Sequence, residues 1–240
     1  MTPAVVIVST CPRRLDADYL PATLAALERE GAGELERLVL SDGPRLQPCA
    51  WPIWCRDPAA RSTRANLWAA FRRALAVGAE RLLYFEDDVH PCRNAVARMA
   101  ELEIPAAAAF VTFHDKKQIL ARRAPGLHLV PAPDADGRGF WGLQAVAIPR
   151  RSLEYFAGLD PMSIRTANTS RNGDRVVEDF VAVSPWPRIA YHSPSLVRHT
   201  GEISQAHPDR HHANQHTPIN YAGDDFDALS LRGEAAACAS

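Results

Sequence analysis

The amino-acid sequence predicts an α/β fold, with one domain built on a central, mostly parallel sheet and an irregular C-terminal tail. The first observation is that apolar, β-branched runs alternate with segments of helical apolar spacing over the first 113 residues. The second is that turn-forming or acidic residues follow these runs. The third is size, because 240 residues with 47% hydrophobic content suffice for one sizeable core.

The chain opens with a strand, a helix and a second strand. Residues 4–10 (AVVIVST) form a compact β-branched run, which is typical of a strand buried on both faces. Residues 19–30 place leucines at helical intervals, with a proline that a helix tolerates only in its first turn. Residues 38–40 read as the next strand, and an Asp-Gly-Pro turn signal ends it.

The alternation continues to residue 113. Residues 44–60 are rich in proline and aromatic residues and read as a loop, and a helix is predicted over 62–77. Residues 82–85 form the third predicted strand, 93–102 another helix and 106–113 another strand. This order favours βαβ units.

Beyond residue 113 the pattern weakens. Proline and glycine crowd residues 124–139, and a strand is predicted around 146–148. Helices are predicted over 150–157 and 176–183. From residue 203 onward the chain is polar, which predicts a wrapping or loosely ordered tail.

Composition excludes several classes of protein. A formal net charge of -1 provides no global field toward nucleic acid or anionic lipid. Five cysteines without a CxxC pair argue against a disulfide framework and a tetrathiolate zinc site. No run approaches the ~20 apolar residues of a membrane span, and the first apolar run lacks the basic lead of a signal peptide. We therefore expect a cytoplasmic protein.

Three consecutive acids, Glu86, Asp87 and Asp88, follow directly on the apolar run of the third strand. In open α/β sheets, ligands bind outside the carboxyl ends of the strands. A divalent cation that also binds a diphosphate would neutralise these acids there. The alternative is that the acids solvate a turn and cap the helix that follows.

Other polar residues lie at or near predicted strand ends. Thr10 and Arg13 follow the first strand, where Arg13 can pair with a diphosphate or remain solvent-exposed. Asp42 ends the second strand and can accept hydrogen bonds from a ribose or a base edge, or can simply belong to an Asp-Gly turn.

Two further stretches are candidates for donor binding. Arg64 and Asn66 lie near the start of a predicted helix, where phosphate or base recognition competes with an ordinary surface role. Gly142, in the run GFWGLQAVAIP, permits close approach of a ligand to the backbone beside aromatic rings, or belongs to a packed aromatic corner. The histidines within residues 207–216 have helical spacing for a metal, but a polar tail is the simpler interpretation.

Four separated segments together resemble the glycosyltransferases of the GT-A fold. They are VVIVST with Arg13 close behind it, the acids at 86–88, the acid pair in VVEDF at 176–180, and the late histidine in PSLVRHTG at 194–201. The last segment is similar to the Pro-Ser-Leu-x-x-His-x-Gly segment of N-acetylglucosaminyltransferases and related bacterial sugar transferases. The resemblance covers about residues 4–204.

The resemblance implies a role for each motif. Asp179 would be the general base and Glu178 would position the acceptor. Asp88 and His199 would bind Mn²⁺ or Mg²⁺. The motif begins with Glu86 where Asp is commonest, so Glu86 can instead meet the ribose or the donor sugar. Asp87, Thr10, Arg13, Asp42, Arg64, Asn66 and Gly142 complete the expected donor site.

The resemblance also implies a domain plan and a reaction. Residues 1–204 would form a GT-A catalytic domain, with a nucleotide-binding half at 1–113 and an acceptor half at 114–204, and residues 205–240 would form a polar tail. The reaction would transfer a sugar from a nucleoside-diphosphate donor, expected to be a UDP-sugar, to a hydroxyl group. In-line attack would invert the anomeric centre, and a retaining reaction stays open if Asp179 faces solvent.

The sequence leaves more than one acceptor and more than one class of function open. A cell-envelope or lipid-linked glycan is the expected acceptor, and a hydroxylated DNA base is the second candidate, with basic doublets at 116–117, 122–123 and 150–151 to hold a phosphate backbone. A nucleotidyltransferase or other phosphate-transferring enzyme would use the same metal, and a non-catalytic nucleotide- or sugar-binding module would need no base. The sequence does not specify an oligomeric state.

Overall fold

The computed structural model describes residues 3–11, 18–41, 43, 49–55, 63–115, 124–132, 140, 142–159, 173–201 and 217–231. Within these ranges the chain forms ten strands and five α-helices. The strands are β1 (Val5–Thr10), β2 (Glu36–Ser41), β3 (Ile53–Cys55), β4 (Arg81–Glu86), β5 (Val89–Pro91), β6 (Val111–Thr112), β7 (Gly126–Pro131), β8 (Ala145–Pro149), β9 (Arg188–Ser193) and β10 (Val197–His199). The helices are α1 (Leu20–Arg29), α2 (Thr63–Ala76), α3 (Ala95–Glu101), α4 (Arg150–Ala157) and α5 (Gly173–Ala182).

Eight of the strands form one sheet in the order β3-β2-β1-β4-β8-β6-β9-β7. Strands β1 to β4 are mutually parallel and lie in the order β3-β2-β1-β4, as in a Rossmann-like sheet. Strand β8 runs antiparallel between β4 and β6, and β7 runs antiparallel at the far edge. The predicted α/β class with a mostly parallel central sheet is confirmed.

Helices cover both faces of this sheet. The first face carries α2, α4 and α5, whose Trp68, Phe71, Phe156 and Phe180 pack on one core cluster. The second face carries α1 and α3, which pack on the other cluster through residues such as Leu24. Burial on both faces explains why the central strands read as continuous apolar runs.

Five strands lie where the sequence predicts no strand. They are β3, β5, β7, β9 and β10, and β3, β7 and β9 belong to the outer part of the main sheet. Most of these segments carry proline or a charged residue, as in GLHLVP and RIAYHS, and β3 has only three residues, so neither a strict alternation nor a long apolar run marks them. The predicted strand over 106–113 shortens to the two residues of β6.

Strand β10 pairs antiparallel with β5 in a separate two-stranded sheet. Beyond it, residues 217–231 pack on the second face, where Ala228 and Leu231 are buried. Tyr221 forms a bridge with Ser195, and a short 3-10 helix spans Ala228–Leu231. None of the helices in the described ranges has the length and hydropathy to cross a membrane.

Candidate functional site

The parallel strands β1 and β4 end side by side, and this edge carries the acids. The register places Ser9 of β1 against Glu86 of β4. Asp87 and Asp88 follow immediately and are only 3% and 6% exposed. Buried carboxylates this close together repel one another unless a cation or hydrogen bonds compensate.

His199 lies close to these acids because β10 pairs with β5 in the separate two-stranded sheet. In the pairing of β10 with β5, His199 lies opposite Val89, and the Thr200 amide donates to the Asp88 carbonyl over 2.7 Å. His199 Nε2 lies 3.2 Å from Asp88 Oδ1. One ligand atom each from Glu86, Asp88 and His199 falls within 4.8 Å of the others. The structure thus joins two segments that are more than a hundred residues apart in sequence.

The chemistry of this group fits a divalent metal ion. Two carboxylates and an imidazole suit Mn²⁺, and the carboxylates also suit Mg²⁺, which keeps waters and phosphate oxygens in its shell. Gly201 leaves room for the arrangement, because a Cβ at this position would overlap Asp88 Oδ2 and come within 2.9 Å of His199 Cε1. We name Glu86, Asp88 and His199 the metal group.

Asp87 has a different set of contacts. Its Oδ2 accepts a hydrogen bond from Thr10 Oγ1, and its carbonyl accepts one of 2.9 Å from Thr23 Oγ1 of α1. These contacts lie on the second face of the sheet and fix the turn between β4 and β5. The predicted donor residues Thr10 and Asp87 therefore contact each other, and their role toward a nucleotide stays a prediction.

The first face of the same edge carries neutral polar groups. Asn66 of α2 is buried, and its Nδ2 donates to Ser9 Oγ over 3.2 Å and to the Thr10 carbonyl over 3.4 Å. Burial, assisted by the charge of Glu86, raises the pKa of Tyr84 well above its usual range, so this phenol stays neutral. The predicted donor residue Asn66 lies beside the acids, because it binds Ser9 and Ser9 is opposite Glu86 in the strand register.

Helix α5 contributes a second set of buried acids. Glu178 accepts a hydrogen bond of 2.9 Å from the Phe140 amide and one of 2.7 Å from Arg175. Asp174, one turn earlier on α5, accepts bonds of 3.0 Å from the amides of Gly142 and Leu143. These two acids therefore hold the backbone that leads into β8.

The remaining residues of this region lie close to that anchor. Asp179 is half buried and lies one position round the helix from Glu178. Gly142 is tightly enclosed, because a Cβ there would lie 2.6 Å from Thr112 Oγ1 and 2.8 Å from the Phe140 ring. Its predicted close approach is thus to protein atoms, and its role toward a ligand stays a prediction.

Sequence reasoning missed three groups of this region. His114 and Asp115 are buried just after β6, where His114 Nδ1 lies 3.2 Å from the Val197 carbonyl and the Asp115 amide donates to Ser195 Oγ over 3.1 Å. The run FVTFHD carries the same signal as YFEDD, polar residues directly after an apolar strand. Asp174 could have been found from its spacing of four residues to Glu178, and the buried Gln144 has no comparable signal.

Several predicted residues cannot be placed in the site. Arg13 and Asp42 lie outside the described residues, as do the basic doublets at 116–117 and 122–123 and the histidines of 207–216. Arg64 belongs to the first turn of α2, and its side chain lies outside the described part of the structure. The doublet at 150–151 lies at the start of α4. Pro149, directly before it, pairs with Arg81 at the start of β4, so this doublet lies at the edge of the sheet opposite the acids.

Comparisons with known proteins found similarity among solved structures. No protein-family model and no curated protein matches it. Among solved structures, A197 from STIV is 14% identical, with a TM-score of 0.38 over 82% of this chain and 84% of its own. A CMP:2-keto-3-deoxy-manno-octonic acid synthetase complexed with CTP is 14% identical, with a TM-score of 0.46 over 78% and 88% of the two chains. The mannosyltransferase PcManGT from Pyrobaculum calidifontis, in complex with GDP-Man and Mn²⁺, is 13% identical, with a TM-score of 0.48 over 80% and 56%.

Proposed function

We propose that the protein is a metal-dependent glycosyltransferase that moves a sugar from a nucleoside-diphosphate donor to a hydroxyl acceptor. One observation carries the proposal: Glu86, Asp88 and His199 converge at the carboxyl edge of the parallel strands of a Rossmann-like sheet. A turn that merely solvated its acids would not need a histidine from another sheet within 3.2 Å of Asp88.

The metal group would hold Mn²⁺ or Mg²⁺. Bound there, the ion would supply charge stabilisation to the diphosphate as it leaves. Asp88 and His199 are the proposed ligands, and Glu86 is proposed either to complete the set or to meet a hydroxyl group of the donor. Thr10 and Asp87 would shape the same edge from the side of α1.

The proposed reaction is an in-line displacement. The acceptor oxygen forms a bond to the anomeric carbon while the bond from that carbon to the diphosphate oxygen breaks, and the acceptor proton passes to Asp179. A general base contributes roughly 10²–10⁴-fold. Glu178 would position the acceptor through the backbone it anchors at Phe140.

The donor and acceptor are proposed by class. A UDP-sugar is the first donor to test. A cell-envelope or lipid-linked glycan is the first acceptor to test, and DNA with a hydroxylated base is the second.

The test is release of nucleotide from a panel of donors. Purified protein would be incubated with UDP-glucose, UDP-galactose, UDP-N-acetylglucosamine or GDP-mannose, with Mn²⁺ or with EDTA and without acceptor. We expect slow, Mn²⁺-dependent release of the free nucleoside diphosphate from at least one donor. Asp179→Asn should lower this release while the donor still binds, which a non-catalytic binding module would not show.

Two outcomes would contradict the proposal. A nucleotidyltransferase or related enzyme would instead release pyrophosphate or nucleoside monophosphate, either from nucleoside triphosphates or from the nucleotide sugars. Absence of both Mn²⁺ binding and nucleotide release across the whole panel would refute a metal-dependent sugar transferase.

A further inference from the structure

Gln144 has a buried side-chain amide whose oxygen accepts no hydrogen bond from the described residues. Gln144 is only 7% exposed, and its Oε1 atom has no hydrogen-bond partner among the described residues. Buried polar side chains are normally hydrogen-bonded, because an unmatched buried group loses its interaction with water without replacement. Something outside the described protein atoms is therefore expected to satisfy this amide.

Strand pairing places Gln144 beside the acids. Strands β4 and β8 pair antiparallel with Phe85 opposite Ala145, and the Glu86 amide donates to the Gln144 carbonyl over 3.1 Å. Residues directly opposite each other in an antiparallel pair project from the same face of the sheet. The Gln144 amide and the Glu86 carboxylate are thus neighbours on the face covered by α2 and α5.

A second unmatched acceptor lies on the other side of Glu86. Both amide protons of Asn66 are directed to oxygens, at Ser9 and at the Thr10 carbonyl, and a carbonyl can only accept. This fixes the orientation of the amide and leaves Oδ1, which has no hydrogen-bond partner in the described part of the chain. Ser9 of β1 is the register partner of Glu86, so Asn66 of α2, which binds Ser9, lies on one side of Glu86, and Gln144, just before β8, lies on the other side.

These groups specify the chemistry of a ligand. A carboxylate and two amide oxygens are hydrogen-bond acceptors, so the ligand group between them must donate. Phosphate oxygens are acceptors only, whereas a hydroxyl group both donates and accepts and suits either end of an amide.

We infer that Gln144 and Asn66 form a hydroxyl-binding subsite beside Glu86, which holds a carbohydrate ring of the nucleotide-sugar donor. This inference rests on the proposed function. The ring is either the transferred sugar or the ribose, since both present hydroxyl groups.

The decisive variant is Gln144→Met, which keeps length and volume but removes the amide. We expect unchanged or raised thermal stability without ligand, since replacing an unmatched buried amide by an apolar group is neutral or favourable. With Mn²⁺ present, the affinity for the best-binding donor of the panel should fall about tenfold, which is the size of one lost hydrogen bond to a ligand. Calorimetric titration and a thermal melt measure the two effects.

Ser152→Ala is the matched control. Ser152 is also buried, but its Oγ donates to the Ala109 carbonyl at the opposite edge of the sheet. This variant should lower the melting temperature and leave donor affinity unchanged. The two variants therefore separate a group that serves the fold from one that serves a ligand.

Titrations with the nucleotide sugar and with the free nucleoside diphosphate show which ring is bound and which of the two proposals fails. A loss confined to the nucleotide sugar assigns the subsite to the transferred sugar, and an equal loss for the free nucleoside diphosphate assigns it to the ribose. Unchanged affinity of Gln144→Met for both ligands would overturn the subsite alone, as would a variant that unfolds or melts lower than the control. If the unaltered protein binds no nucleotide sugar with Mn²⁺, the proposed function itself fails.

Discussion

Two clusters of acids lie in the described part of this protein, and their contacts differ in kind. On helix α5, Asp174 and Glu178 accept hydrogen bonds from three backbone amides and one arginine. At the end of β4, Glu86 and Asp88 gather instead toward an imidazole, with one atom from each residue inside 4.8 Å. Both clusters are carboxylates near the same edge of the sheet, so composition and location alone do not distinguish them.

The difference indicates what each cluster does. A carboxylate that receives backbone N–H groups already has its charge compensated, and its removal leaves those donors unmatched. Carboxylates that converge on one point with a metal-ligating side chain repel one another, and a cation relieves that repulsion. We therefore interpret the α5 acids as an anchor for the fold and the metal group as a site for a ligand, and four variants test this division.

The largest effect is expected for Asp88→Asn. Loss of a charged ligand should lower Mn²⁺ affinity and Mn²⁺-dependent nucleotide release by about 10²-fold or more, which corresponds to about 3 kcal/mol. The melting temperature without metal should change little, because the substitution keeps the size of the side chain and removes one of several like charges. Metal titration, nucleotide release and a thermal melt in EDTA measure these effects.

A large loss of stability in Asp88→Asn without metal would contradict the division, because Asp88 would then serve the fold as the α5 acids do. Retained Mn²⁺ affinity would contradict its assignment as a ligand.

Asp174→Ala should show the reverse behaviour. The amides of Gly142 and Leu143 would lose a charged acceptor while buried, which we expect to cost about 2–4 kcal/mol of unfolding free energy. Mn²⁺ affinity of the folded fraction should change little, because the carboxylate binds backbone and not the metal group. Urea unfolding and metal titration at low temperature test this, and an unchanged urea midpoint would contradict the anchor.

The sequence predicts the acids of the two clusters unequally, for a physical reason. The strand-end acids follow a long apolar run, and strand ends converge in a parallel sheet, so their location follows from pattern alone. Asp174 and Glu178 owe their role to contacts with Phe140, Gly142 and Leu143, which are 31 to 38 positions away in the chain. Local patterns do not report such contacts.

The same limit applies to the fold. Strands β1, β2, β4 and β8 are central and buried on both faces, and each is predicted from its apolar run. Strands β3, β7 and β9 lie toward the edges, where polar residues and proline are tolerated and the run is lost. The pairing of β10 with β5 depends on partners that are more than a hundred residues apart, so the resemblance to a known segment, and not periodicity, pointed to His199.

Gly201→Ala tests whether the geometry of the metal group matters beyond its composition. The added Cβ would overlap Asp88 Oδ2, and the carboxylate would have to move away from His199. We expect Mn²⁺ affinity to fall about 10-fold to 100-fold, as for losses of groups that orient metal ligands. Metal titration measures this change.

Gly158→Ala is the control, because its Cβ would meet only ordinary contacts of 3.5 Å at the end of α4. Equal affinities of the two alanine variants would show that the metal group tolerates displacement of Asp88, and would weaken the distinction between the two acid clusters.

The smallest effect is expected for an acid that serves neither cluster, Asp224. It accepts a bidentate pair of bonds of 2.9 and 3.0 Å from Arg198 and one of 2.6 Å from Tyr221, and His90 Nδ1 lies 3.7 Å away. These contacts tie residues 217–231 to β10, next to His199. The Arg198 hydrogen bonds, with a smaller contribution from Tyr221, lower the pKa of Asp224 to about 2.

The sign of the resulting pH dependence follows from this shift. An unfolded aspartate has a pKa of about 3.9, so the stabilisation is fully present above that pH and is lost as the pH falls toward about 2. Asp224→Asn should remove this acid-side dependence and cost about 1 kcal/mol or less at neutral pH, because the carboxylate is half exposed and screened. Urea unfolding between about pH 2 and 6 measures both. A variant that kept the full acid-side slope would place its origin in the other carboxylates, and a loss of Mn²⁺ affinity as large as that of Gly201→Ala would mean that His199 depends on this tie.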